Sequence, residues 1–274
     1  MPGGYSGGAR GGAVSYIMDH PREGDRIELK TDRRLTLEQL CWSGIKPGDT
    51  VLDMGCAAGT TSRMIGELVG PGGRVVGIDA SRERIEQGMA HPEQIQSIEY
   101  RQGDAYLLPA ADGEFDVSWS RFLFEYLNRP REALGELIRV TRTGGTVCVS
   151  DLDGNCIWHH PCSGSLRSGL AEALRTLGDS FNPHAGKQLY TLFHEAGLRD
   201  IKVDIRPYHT IIGAISPREQ AHWQMKLEGV AHALRRRGWS ESKAAALVYA
   251  FSEHLRSPDT MTYSVIFTVK GVRA

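Results

Sequence analysis

From Leu35 onward, short runs of β-prone apolar residues alternate with longer stretches whose apolar positions recur at helical spacing. The short runs are Thr50–Met54, Gly73–Ile78, Ile98–Gln102, Phe115–Ser120 and Thr146–Ser150. The periodic stretches are Leu35–Ser43, Thr60–Val69, Ser81–Met89 and Pro130–Val140. Strand and helix alternating at this pace predict βαβ units, hence a parallel sheet covered by helices on both faces. Turn chemistry marks the junctions at Lys46-Pro47-Gly48-Asp49, Gly70-Pro71-Gly72-Gly73, Ala111-Asp112-Gly113 and Thr143-Gly144-Gly145. After Ser150 the rhythm loosens. Gly164–Leu177, Pro183–Ala196, Pro217–Arg237 and Glu241–Leu255 read as helices, Ile201–Ile212 as a long β-rich run, and Tyr263–Lys270 as a final strand. The order suggests a sheet completed at its edge by late strands, with inserted helices over an active site and no second domain.

Composition narrows the class. With 274 residues, 41% apolar and 24% charged, the chain has the profile of a globular protein large enough to need no disulfide or metal staple. Lys plus Arg number 32 and Asp plus Glu 33, a net charge of −1, which argues against a nucleic-acid partner. Arg235-Arg236-Arg237 is the tightest basic cluster and reads as a solvated helix face. No apolar stretch is long enough to span a membrane, and MPGGYSGGARGG has no signal-like apolar core, so residues 1–12 read as a flexible tail and the protein as cytoplasmic. The five cysteines, Cys41, Cys56, Cys148, Cys156 and Cys162, form no CxxC pair, which suits free thiols in a reducing compartment. Cys156 and Cys162 lie near His159 and His160, but the spacing matches no zinc pattern, so no metal is expected.

The chemistry concentrates where strands end. Val51-Leu52-Asp53-Met54-Gly55-Cys56-Ala57-Ala58-Gly59-Thr60 leaves a buried strand, turns on glycines and enters a helix. Such a turn lets backbone amides approach a ligand at a helix N-terminus. Asp53 would repel a pyrophosphate there and suit a cation. Asp79 ends the next strand, at the distance where an acid accepts bonds from both ribose hydroxyls. Asp104 follows the third strand, where an adenine amino group could donate. Any one strand-end Asp is often only a turn or N-cap residue. Three on successive strands are harder to explain that way, and a nicotinamide dehydrogenase would want an uncharged strand end and a third glycine.

In VLDMGCAAGTTS, VVGIDAS, GDAYLLP, FDVSWSRFLFEYL and RVTRTGGTVCVSD, in this order, the chain resembles the class I S-adenosylmethionine-dependent methyltransferases of the small-molecule branch. The resemblance covers about residues 35–155 and extends to the YSVIFTVK strand. It implies a Rossmann-like, doubly wound seven-stranded α/β sheet with its last strand antiparallel. It implies one domain over 13–274, with a core at 35–155 and helical cap insertions at about 156–183 and 215–257. By the same resemblance Asp53, Gly55, Cys56, Ala57 and Gly59 shape the methionine end of an S-adenosylmethionine site. Asp79 with Ala80 would hold the ribose, Asp104 with Ala105 the adenine, and Ser120 with Arg121 would flank the sulfonium. Ala57 departs from the glycine common at its position. Tyr16-Ile17-Met18-Asp19-His20 and Glu23 to Arg26 resemble an N-terminal segment that folds over the donor, which puts Tyr16 and Arg26 near the methionine moiety.

Methyl transfer from a sulfonium needs chiefly an aligned acceptor, with a base only when the acceptor must lose a proton. The acceptor side is therefore expected after the fourth and fifth strands. His159, His160 and Tyr126 are the catalytic candidates; Phe124, Glu125, Trp158, Tyr208, His209 and Trp223 are the substrate-binding ones. Each has a plainer reading as a packed ring or a surface group. The expected partner is a small molecule, a bacterial specialised metabolite or quinone-like compound methylated on O, N or C, with neither nucleic acid nor membrane and a homodimer left open. A cyclase using the same donor, or a binding protein without catalysis, is the alternative.

Overall fold

The computed structural model describes residues 31–93 and 95–274. Its elements run α1 (Arg33–Ser43), β1 (Thr50–Met54), α2 (Thr60–Val69), β2 (Arg74–Asp79), α3 (Arg82–Met89), β3 (Ile98–Gln102), β4 (Phe115–Arg121), α4 (Pro130–Val140) and β5 (Thr141–His160). Then follow α5 (Gly164–Leu177), α6 (Ala185–Glu195), β6 (Arg199–Ile212), α7 (Pro217–Arg235), α8 (Glu241–Arg256) and β7 (Met261–Val272). One seven-stranded sheet has the order β3-β2-β1-β4-β5-β7-β6. β1 to β5 run parallel, and β7 runs antiparallel to both β5 and β6. The order reverses between β1 and β4, which opens a crevice beyond their carboxyl ends.

Pleat alternation explains how this sheet is clothed. Leu52, Met54, Val76, Ile78, Val147 and Val149 point to one face, where Leu134 and Leu137 of α4 and Leu189 and Phe193 of α6 cover them. Val51, Val75, Val117, Trp119 and Cys148 point to the other, against Leu40 of α1 and Met64, Ile65 and Val69 of α2. A third apolar cluster joins α5, α7 and α8 through Leu166, Leu177, Trp223, Leu227, Leu234, Leu247, Phe251 and Leu255. It meets the far ends of the late strands through Ile211 and Ile215.

The largest departure from the sequence reading is β5. A turn at Thr143–Gly145 and a strand ending at Ser150 were expected, yet the strand runs from Thr141 to His160. The glycines do not end it; they make bulges. Register shifts lie opposite Phe115–Val117 and between Asp153 and Trp158, with Gly144 and Gly154 at φ of 74° and 78°. Beyond the second bulge Trp158, His159 and His160 pair with Tyr263, Thr262 and Met261 of β7 instead of standing in a loop.

Among the described residues no helix is long and apolar enough to cross a membrane. α6 lies so close to β5 that a Cβ on Gly186 would stand 2.7 Å from the Asp151 carbonyl oxygen and 2.9 Å from the Leu152 carbonyl carbon. These are backbone atoms and cannot swing aside. Gly186→Ala is therefore expected to destabilise the fold by about 1–3 kcal/mol, the usual cost of overpacking, as read by urea unfolding.

Candidate active site

β1 delivers the chain into a loop whose backbone is left-handed at Gly55, Ala57 and Gly59, with φ of 78°, 50° and 81°. The Gly55 and Cys56 amides donate to the Ile78 carbonyl at 2.7 and 3.2 Å, lashing the loop to β2. The Ala57 amide donates to Asp79 Oδ2 at 2.9 Å, and Asp79 Oδ1 accepts from the Ser81 amide at 2.9 Å. A non-glycine residue in this conformation costs about 1–2 kcal/mol. A hydrogen bond to a charged acceptor is worth about 1.5–3 kcal/mol and offsets that strain. At Gly59 a Cβ would meet the Tyr100 hydroxyl at 2.0 Å, so only glycine fits.

The three acids stand at the carboxyl ends of neighbouring strands but in unlike surroundings. Asp53 is 2% exposed beneath the loop, and Ser62 Oγ donates to its Oδ2 at 2.6 Å. Burial pushes its carboxyl up to about 7; the Ser62 bond and the Arg121 charge oppose this, and the Asp79 charge adds to it. Asp79 is half-buried, and Asp104 is exposed with Oδ1 accepting from the Tyr106 amide at 2.9 Å. Cys56 is buried, and burial holds its thiol well above the usual range. Ala80 is exposed, its carbonyl accepting from Gln102 Nε2, while Ala105 packs on the central core. Tyr16 and Arg26 lie outside the described residues.

At the end of β4, Ser120 Oγ donates to the Met54 carbonyl at 3.0 Å and is fully buried. Arg121 lays its guanidinium 4.0 Å over the Phe122 ring and donates from Nε to Gln39 Oε1 at 3.2 Å. Its Nη2 is enclosed and makes no close hydrogen bond among the described residues, although the Tyr208 hydroxyl interacts with the guanidinium. Burial lowers the pKa of Arg121 from its ordinary value. Gln39 of α1 completes a buried knot, donating from Nε2 to Ser150 Oγ and Thr268 Oγ1 at 3.2 and 2.9 Å. The sequence reading passed over Gln39. Its signal was a polar residue on the inward stripe of α1 with Thr36, Leu40 and Ser43.

The acceptor-side residues separate into groups. Phe124, expected to line the acceptor site, is 2% exposed within the central core. Glu125, 1% exposed, accepts from Asn155 Nδ2 at 2.7 Å, and Asn155 Oδ1 accepts from buried Lys226 Nζ at 2.6 Å. Lys226 Nζ lies 4.6 Å from the centre of the Trp223 ring. Tyr126 packs on Phe181. Tyr208, His209, Trp223, Phe251 and His159 form a chain of successive ring contacts, with centroids 4.3, 5.3, 5.4 and 4.9 Å apart. The structure thus gathers four of the expected residues. It does not gather their neighbours: Trp158 faces the other way, onto Tyr263 and over Gly154, and His160 is exposed. Asn155 and Lys226 were missed, although Lys226 falls in phase with Trp223, Leu227 and Leu234 on the buried side of α7.

Residues 52–149, which hold the loop and all three acids, match the family whose description is "Methyltransferase domain". That stretch carries a methyltransferase domain, set in a seven-stranded sheet whose last strand in the chain, β7, runs antiparallel. It is similar to the ubiquinone/menaquinone biosynthesis C-methyltransferase UbiE of Ectopseudomonas mendocina, 27% identical over 67% of this chain and 75% of that protein. It is also similar to the chloroplastic 2-phytyl-1,4-beta-naphthoquinone methyltransferase of Arabidopsis thaliana, 36% identical over 47% of this chain and 51% of that one. Several curated relatives are matched over little more than half their own length, and one, an uncharacterized 37.1 kDa transposon protein of Streptomyces fradiae, over 31%. Among solved structures, Haemonchus contortus phospholethanolamine N-methyltransferase 2, in complex with phosphomonomethylethanolamine and S-adenosylhomocysteine, aligns with a TM-score of 0.60 at 17% identity. That alignment covers 95% of this chain and 61% of the other, and it shows the shared fold.

The buried carboxyl under the loop has a consequence for stability. Because the folded Asp53 titrates at about 7, above its ordinary 3.8, the native state keeps a proton that the unfolded chain releases. Stability is therefore lost as pH rises between those values, by on the order of 4 kcal/mol at most. Asp53→Asn, which keeps an acceptor for Ser62, is expected to remove this contribution. Urea unfolding of parent and variant from pH 4 to pH 8 should show the variant gaining relative stability as pH increases.

Proposed function

We propose that this chain is an S-adenosylmethionine-dependent methyltransferase for a small-molecule acceptor in bacterial specialised-metabolite biosynthesis, acting in the cytoplasm. The observation that carries the reading is the row of Asp53, Asp79 and Asp104 around a left-handed loop at the switch point of the sheet. The quinone methyltransferases among the similar proteins support a flat, hydroxylated or carbonyl-bearing acceptor. The unit is read as one domain over 13–274, with a core at 35–155 and the helices at about 156–183 and 215–257 as its cap.

The described residues suit this donor. Each Asp79 oxygen already takes one backbone amide and has a second lone pair for a ribose hydroxyl. Asp104 and Ala105 would meet the adenine, and Ala80 the ribose edge. Asp53 would act from beneath, fixing Gly55, Cys56, Ala57 and Gly59 at the methionine end. Ser120 and the enclosed Nη2 of Arg121 would border the sulfonium end, with Tyr16 and Arg26 closing over it. When bound, S-adenosylmethionine supplies an electrophilic methyl group on a good leaving group. The protein's task is then to align the acceptor, which is worth roughly 7–11 kcal/mol of barrier lowering.

For acceptor chemistry His159 is preferred over His160, because it lies in the ring chain while His160 faces solvent. Tyr208, His209 and Trp223 would wall the acceptor, with Glu125 and Tyr126 at its rim. Trp158 is left as a support for the strand bulge. Labelled methyl transfer from S-adenosylmethionine to hydroxylated aromatic acceptors tests the activity; donor binding without transfer to any acceptor would overturn it. Asp79→Ala is expected to weaken S-adenosylhomocysteine binding, measured by calorimetry, by about tenfold or more, since bonds to a charged acceptor are lost. An unchanged dissociation constant would remove Asp79 from the donor site. His159→Ala should lower turnover while leaving donor affinity intact.

A further inference from the structure

His159 does not stand alone. In the β5–β7 ladder it lies directly opposite Thr262, so their side chains share a face. His159 Nδ1 is 2.8 Å from Thr262 Oγ1, and His254 Nε2 of α8 is 3.0 Å from the same oxygen. The two imidazoles meet edge to face with centroids 4.9 Å apart. Thr262 and His254 are 3% and 8% exposed. The end of α8 is tied down beside them, because Thr260 Oγ1 donates to the His254 carbonyl at 2.7 Å.

One hydroxyl carries one proton. It can donate to at most one of these rings, so at least one ring must donate to it, and the protonation of the two histidines is coupled. If His159 becomes an imidazolium, its Nδ1–H has to donate to Thr262, which then donates to His254 Nε2. That arrangement needs His254 neutral, and burial does lower its pKa from the ordinary value, with Asp259 opposing. Further from the pair, His209 of β6 and His222 and Lys226 of α7 group around Trp223, whose ring stacks on Phe251.

We propose that Thr262 and His254 are positioning residues that hold His159 with its proton on Nδ1, so that Nε2 receives a proton from the methyl acceptor. The acceptor class that needs this is an acidic O–H, phenolic or enolic. As the new O–CH3 bond forms, the S–CH3 bond breaks and leaves its electron pair on sulfur, and the acceptor proton passes to His159 Nε2. The Nδ1–H, Thr262, His254 relay stabilises the imidazolium that results, in the way a third group steadies the histidine of a hydrolytic triad. The inference rests on the reading of His159 as the acceptor-side base.

Two readouts separate the relay from that reading. Nitrogen-15 NMR of the histidine-labelled full chain at pH 8 should show His159 protonated at Nδ1, and Thr262→Val should mix its tautomers. With a phenolic acceptor, Thr262→Val is expected to lower kcat about tenfold at unchanged KM for the donor. It should also move the acidic limb of kcat/KM to lower pH, since the imidazolium loses its support. Thr262→Ser should restore both to near the parent, and His254→Leu should move the limb in the same direction as Thr262→Val. A His159 protonated at Nε2 in the parent, or a Thr262→Val enzyme with the parental pH profile, overturns the relay. Full turnover in His159→Ala with the Nδ1–H tautomer intact instead overturns the base reading, and with it the proton-receiving half of this proposal.

Discussion

The bond from the Ala57 amide to Asp79 is the constraint on which the β1–α2 loop and the crevice beside it depend. Without it, an alanine at φ of 50° would be strained, and the loop between β1 and α2 would have no reason to keep that shape. With it, the end of β1 is fixed against the end of β2, the first turn of α2 is aimed at the crevice, and Asp79 is held at the rim. The amides of Gly55 and Cys56 on the Ile78 carbonyl repeat the same tie one residue deeper. A parallel pair of strands, joined by a crossover helix, is thereby converted into a rigid ledge.

The region of the late strands and their helices is built on a different principle. Beyond its second bulge β5 carries on with β7 past the crevice, giving α5, α7 and α8 a floor to pack on. Buried polar chains stitch floor to helices: Glu125 to Asn155 to Lys226, and His159 to Thr262 to His254. A third knot, Arg121 to Gln39 to Ser150 and Thr268, ties α1 to the interior strands β4, β5 and β7. In a low-dielectric interior, such chains are costly when half-satisfied and strongly orienting when complete. They locate side chains that apolar packing alone would leave free to slide.

That contrast explains what the sequence made legible. β1, β2, β3 and β4 fall within a residue or two of expectation, because buried parallel strands read as continuous apolar runs. The three strand-end acids and the glycine loop were visible because strand-end position and loop glycines are local signals. β5 was cut short because Gly144 and Gly145 look like a turn and the apolar run thins after Ser150; only pairing with β4 and β7 makes the glycines part of bulges. Gln39, Lys226, Thr262 and His254 went unnoticed for the same reason: each takes its role from partners distant in the chain or from the register of a ladder. Gln39 meets Thr268 across 229 positions. Their one local mark was polarity on an inward-facing stripe.

The two regions also differ in where stability is given up. Under the loop, Asp53 keeps a carboxylate out of water at the centre of the fold, although an amide would satisfy Ser62 as well. A buried acid that weakens the free protein at neutral pH is hard to account for by packing, and local violations of folding rules concentrate where function needs them. Beside the donor methionine, which brings an ammonium and a sulfonium, the same carboxylate would gain opposite charges to face. On the proposed reading those charges would offset the cost of ionising Asp53 and favour a cationic ligand over a neutral one.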